Sequence, residues 1–132
     1  MEHPFIIEFG KLPKELNIFP LAGALLLPRG RLPLNIFEPR YINMVLDSLG
    51  EQRLIGMVQT RQNNESIVPN DAPFFNIGCA GKIVSFSETS DGRIILTLEG
   101  VCRFNVAAEC EMRNGYRRIR SDFAPYSIDM DE

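Results

Sequence analysis

The chain has no tryptophan, one histidine and three cysteines among 132 residues, and each scarcity narrows what it can do. His3 stands near the start, apart in sequence from any Ser or Cys it could activate, so no His-assisted nucleophile is expected. Cys79, Cys102 and Cys110 are spaced 23 and 8 residues apart, form no Cys-x-x-Cys pair and have no histidine nearby. That pattern fits reduced core thiols better than a disulfide framework or a tetrahedral metal site, and no metal or cofactor is expected. Long apolar runs are missing too: the longest, Ala24 to Leu27, is four residues, against the roughly 20 that a membrane-spanning helix requires. With no secretory leader pattern, the expected location is the cytoplasm, and the Asn64-Glu65-Ser66 sequon then carries no meaning.

Charge of one sign is scarce as well. Fourteen basic residues face 17 acidic ones for a net −3, and Asp129, Asp131 and Glu132 fall in the last four positions, which leaves the body balanced. No strong field draws the chain to nucleic acid or to an anionic membrane, and neither is an expected partner. Phosphate-binding loops are also absent: Gly78-Cys79-Ala80-Gly81-Lys82-Ile83 has two residues where four must separate the glycines and lacks the hydroxyl that would hold Mg²⁺. No Gly-x-Ser-x-Gly elbow occurs, and no carboxylates are visibly paired for acid–base work. The sequence gives no reason to expect an enzyme.

What is present is a single domain's worth of apolar residues, 45% of the chain with nine Phe. It is organised around residues 18–49. Ile18-Phe19-Pro20-Leu21, Leu25-Leu26-Leu27 and Leu32-Pro33-Leu34-Asn35-Ile36-Phe37 are runs of strand length punctuated by Pro and Gly. Glu38-Pro39 then opens a helix, because a first-turn proline gives up no needed N–H, and Ile42, Val45, Leu46 and Leu49 follow at helical spacing up to Gly50.

Further along, Leu54 to Thr60 is apolar on both alternations and reads as a central strand, whereas residues 61–76 turn polar and read as a long surface loop. Asp91-Gly92 and Asn114-Gly115 mark hairpin turns. Gly100 is expected to break the strand before it, and in the next strand Cys102, Phe104 and Val106 should face inward. Residues 116–123 alternate again, with Tyr116, Arg118 and Arg120 on one face.

The string FPLAGALLLPRGRLPLNIFEPRYINMV, followed by Ile55-Gly56-Met57-Val58, Ile77-Gly78-Cys79-Ala80-Gly81-Lys82-Ile83, Asp91-Gly92-Arg93 and Leu98-Glu99-Gly100-Val101-Cys102-Arg103-Phe104, resembles the Lon protease N-terminal (substrate-binding) domain family. The form resembled is that of stand-alone bacterial Lon-domain proteins, without ATPase and protease parts. The resemblance implies a mostly β (α+β) fold, a PUA-like pseudo-barrel of about six strands with one principal helix packed on it. It also implies a non-catalytic module that binds unfolded or client polypeptides, linked to proteolysis or quality control and at most weakly self-associating. The expected division is a leader over residues 1–16, the barrel domain over 17–126, and an acidic tail over 127–132 that starts a longer C-terminal region.

Candidate polypeptide-binding residues are Leu25, Leu26, Leu27 and Arg29, before and in the first turn, with Phe74 and Phe75 at the end of the long loop. Apolar side chains in loops either pack or bind, and the plainer role for the two phenylalanines is to cap an open end of the barrel. The alternative is RNA binding by Arg113, Tyr116, Arg117, Arg118 and Arg120, since 11 of the 14 basic residues are Arg, which pairs with phosphate and stacks on bases. Alternating Arg on an edge strand also serves simply to discourage aggregation. Glu38, Arg40 and Tyr41 are expected to fix the start of the helix, not to bind a ligand.

Overall fold

The computed structural model describes residues 7–61 and 68–131; His3 and the sequon at Asn64 lie outside them. Six strands and one α-helix follow in the order β1 (Glu15–Leu21), β2 (Arg31–Ile36), α1 (Pro39–Leu49), β3 (Leu54–Gln59), β4 (Ile77–Glu88), β5 (Ile94–Glu109) and β6 (Arg118–Asp122). Short 3-10 segments stand at Phe9–Lys11 and Ala124–Met130. The sheet runs β2-β5-β4-β3-β1-β6, and β6 also pairs with the far end of β5. That extra pairing closes a ring of β5, β4, β3, β1 and β6, with β2 attached outside it along the first half of β5, so the architecture is the mostly β pseudo-barrel that was expected.

β3 is the central strand its composition predicts. It pairs in parallel with β1 and antiparallel with β4, and residues 54–58 are buried on both faces. Ile55 and Met57 join α1 in one core with Tyr41, Met44 and Val45, while Leu54 and Val58 join Leu16, Ile18, Phe104 and Ile119 in a second. β5 serves both cores through a bulge. Gly81 pairs with Gly100 but Ala80 with Cys102, which leaves Val101 as an extra residue and shifts the register by one. Inward residues Ile94, Leu96 and Leu98 therefore enter the first core, and Cys102 and Phe104, of the same parity, enter the second.

Several expectations are corrected. Residues 25–27 form no strand: Gly23 (φ 73°) and Arg29 (φ 67°) turn the chain, and the segment crosses the sheet as irregular backbone. Gly100 does not break β5, which runs through it; the glycine is needed because the Leu27-Pro28 backbone lies against it. The helix does start at Pro39, but its buried face is Tyr41, Met44, Val45 and Ser48, and Leu46 is 49% exposed. Packing against β1 and β3 fixes the rotation of α1, and Asn17 donates from β1 to the Ser48 hydroxyl at 3.0 Å. Gly50 ends the helix in an ordinary right-handed conformation (φ −79°); the left-handed residue comes later, at Arg53 (φ 63°).

The chain ends also pack more than their composition suggests. Residues Glu15 and Leu16 already belong to β1, and Ser121 Oγ donates to the Pro13 carbonyl at 2.9 Å. At the other end, both carboxylate oxygens of Asp129 bind the Arg103 guanidinium, at 2.8 and 2.9 Å, and the Arg103 backbone N–H donates to the same group at 2.9 Å. Tyr126 donates to Asn105 Oδ1 at 2.8 Å, so Ala124–Met130 is held along β5. Among the described residues no helix is long and apolar enough to cross a membrane.

Candidate functional site

A groove of about 220 Å³ opens between the irregular segment after β1, the end of β3, the start of β4 and the middle of β5. Its construction follows from small residues. Leu26 is buried over Gly81, where any Cβ would stand 2.7 Å from its Cδ2, and the Leu27 carbonyl rests on Gly100. With Leu26 anchored, its neighbours project outward: Leu25 is 63% and Leu27 56% exposed. Phe75 and Ile77, 48% and 56% exposed, stand across from them, and Met57 and Cys79 supply the floor.

The polar groups of the groove are few. Gln59 and Arg103 line it. The Arg103 guanidinium stacks 4.9 Å from the Tyr126 ring while Asp129 holds it. Burial pushes the Cys79 thiol up to about 12, so it stays neutral and contributes apolar surface, not a nucleophile. Such an arrangement can seat an apolar side chain and offer donors to a neighbouring backbone.

Leu25, Leu26, Leu27 and Phe75 thus come together in one place. Arg29 sits two residues beyond Leu27 without lining the groove, and its guanidinium donates to the Asp131 carbonyl. Phe74 parts company with Phe75: it is half-buried under Arg117, whose guanidinium lies 4.6 Å over its ring. Met57, Gln59, Ile77 and Arg103 belong to the groove but escaped the sequence reading. Ile77 was the discoverable one, since it continues the apolar stretch Phe74-Phe75 by two positions.

The alternative basic stretch is dispersed by the fold. Arg117 is 5% exposed, forked onto Glu109 at 2.8 Å and donating to the Ala72 carbonyl. Tyr116 is fully buried and donates to Asp47 at 2.8 Å. Arg113 pairs with Glu51 and Asp47, and Arg118 donates to Asn17 at 2.9 Å. Arg120 alone of the five is exposed with no carboxylate partner among the described residues. Arg40 is likewise engaged: it binds Glu38, Asn70 and the Val68 carbonyl and stacks 4.5 Å from Tyr41, tying the helix start to the chain beyond residue 67.

A second depression, about 280 Å³, lies between β1, β2 and the start of α1. Pro20 and Pro33 line it, and neither has an N–H to offer an extended chain.

Residues 15–129 match the family of the ATP-dependent protease La (LON) substrate-binding domain. The chain belongs to this family. Among curated Lon relatives it is 28% identical over 122 residues to Lon protease 2 of Myxococcus xanthus, covering 92% of this chain and 14% of that protein. It is 27% identical over 106 residues to the Lon protease of Anaeromyxobacter dehalogenans, covering 80% and 12% respectively. This Lon-type domain therefore spans about one-eighth of those relatives' length. A Lon N-terminal domain protein from Xanthomonas campestris superposes with a TM-score of 0.65 at 27% identity, over 83% of this chain and 59% of that one. The N-terminal domain of a Mycobacterium avium complex Lon protease shares the fold, with a TM-score of 0.63 at 12% identity over 83% and 54%. The family match runs from the first residue of β1 to Asp129, and so includes the segment that holds Arg103 beside the groove.

Proposed function

We propose that the chain is a non-catalytic recognition module that binds unfolded or client polypeptides in the groove between residues 24–27 and the start of β4, as a cytoplasmic component of protein quality control. The observation that carries this reading is the clustering of Leu25, Leu27, Phe75 and Ile77, each about half exposed or more, around one concave site with a buried apolar floor. An unfolded chain presents what such a site can use: apolar side chains and unpaired backbone groups. The family's substrate-binding character and the relatives' identity as Lon proteases support the same reading. The internal engagement of Arg113, Tyr116, Arg117 and Arg118 favours polypeptide over RNA.

The test is an amide chemical-shift titration of the labelled protein with a permanently unfolded polypeptide and, separately, with a short single-stranded RNA. Shifts confined to Leu25, Leu27, Gln59, Phe75 and Ile77 with polypeptide, and lost in Ile77→Asp, are the expected result. Polypeptide shifts elsewhere, or RNA shifts centred on residues 113–120, overturn it.

A further inference from the structure

We infer that the groove selects segments in which a bulky apolar side chain is flanked by carboxylates; the inference rests on the groove being the client site. Its volume of about 220 Å³ falls below the roughly 300–1,000 Å³ of cavities that enclose a whole small molecule, so it seats one large side chain at a time. The rest of a bound segment then lies across the rim, and rim chemistry decides which flanking residues are favoured.

That rim is basic. Arg103 lines the groove, Arg61 lies 5.1 Å over the ring of Phe75, and Arg29 follows Leu27 by two residues. Among the described residues no Asp or Glu lines the groove, and Asp129 pairs with Arg103. The Arg61 guanidinium donates to the Phe74 carbonyl, at 3.4 Å, and the Arg29 guanidinium to the Asp131 carbonyl, and among the described residues neither forms an ion pair with a carboxylate. In a chain of net charge −3 this local excess of positive charge is a property of the site and not of the body. A flanking carboxylate gains two rim contacts of the exposed ion-pair kind, together about a threefold to tenfold gain in affinity, screened by salt. A basic flank meets repulsion instead.

Fluorescence anisotropy decides this with three labelled peptides that share one Leu-Phe-Leu centre and carry Asp/Glu, Ser/Gln or Lys/Arg flanks, together with a short single-stranded RNA, at low and moderate salt. The acidic peptide should bind about threefold to tenfold more tightly than the neutral one, with the advantage shrinking as salt rises. An Arg29→Gln/Arg61→Gln double variant should lose that advantage, so that it binds the acidic and neutral peptides alike. Equal affinity for acidic and neutral peptides overturns the charge selection and leaves the groove as client site. Failure of all three peptides to bind, or binding indifferent to Ile77→Asp, overturns the groove reading and this inference with it. RNA displacing the acidic peptide through the same arginines overturns a polypeptide occupant. Should the double variant fold poorly, the salt dependence of the acidic-to-neutral ratio in the unaltered protein decides alone.

Discussion

The carbonyl oxygen of Leu27 lies 2.0 Å from the point that a Cβ on Gly100 would occupy. The same glycine receives a hydrogen bond from Arg29 N–H and donates one to the Gly30 carbonyl, both at 2.8 Å. One position on β5 therefore seats the whole segment that forms a wall of the groove. Gly100→Ala must displace backbone, not a flexible side-chain end, and should destabilise the fold by about 1–3 kcal/mol or more. Gly10→Ala, with nothing within 4 Å of its Cβ, is the matched control and should be neutral. Urea unfolding of the two variants makes the comparison; equal midpoints would contradict the packing account.

Arg40→Ala should lower the melting temperature and leave client affinity per folded molecule unchanged. The side chain ties Glu38, Asn70 and the Val68 carbonyl together and covers Tyr41, and hydrogen bonds to a charged group contribute about 1.5–3 kcal/mol. Arg40→Lys should recover little, because a point charge cannot span three partners as a planar fork does. Thermal melts paired with peptide titrations separate the two roles, and weakened binding in a fully folded variant would assign Arg40 to the site.

The Arg103 hydrogen bonds hold the Asp129 carboxyl below the ordinary carboxylate range. A group whose pKa is depressed by folding adds stability that is fully present above its unfolded value and is lost as pH falls through the folded one. Its unperturbed value is about 4, so this contribution should be constant at neutral pH and decline in acid below about pH 4. Asp129→Asn should therefore destabilise the protein near pH 7 and flatten its stability profile in that acid range. Denaturant midpoints measured across pH are the check; a variant curve parallel to the parent's throughout would refute the linkage.

Burial raises the Cys79 thiol to about 12 and the Cys102 thiol to about 11, and both side chains are closed to solvent. Cys110 is half-buried. At pH 8 a thiol reagent should reach Cys110 first and the other two only after denaturation, because Cys79 and Cys102 are buried and their raised values leave little of the reactive thiolate. Mass spectrometry of the labelled protein counts them, and fast modification of Cys79 would show that the groove floor is open.

Much of the fold was legible because its signals are local. Proline at the first turn of α1, left-handed residues at Gly92, Asn114 and Gly115, and the doubly apolar β3 each act over a few residues, and each appears where its chemistry placed it. The groove was half legible: exposed leucines near a turn and two loop phenylalanines are visible as apolar residues in polar surroundings. Their separation was not. Phe74 and Phe75 are adjacent and alike, yet one is drawn under Arg117 and the other left at the groove, because successive side chains of an extended chain point to opposite sides.

Short-range pattern is enough to specify a mostly β chain with one principal helix, its turns, its central strand and its family. Tertiary structure alone decided that Gly100 is a seat and not a break, that Leu46 faces water while Met44 does not, and that most of the basic stretch is spent on internal partners. Those outcomes depend on which distant backbone or carboxylate arrives opposite a residue. Ring closure through β5 and β6, and the register shift at Val101, settle that.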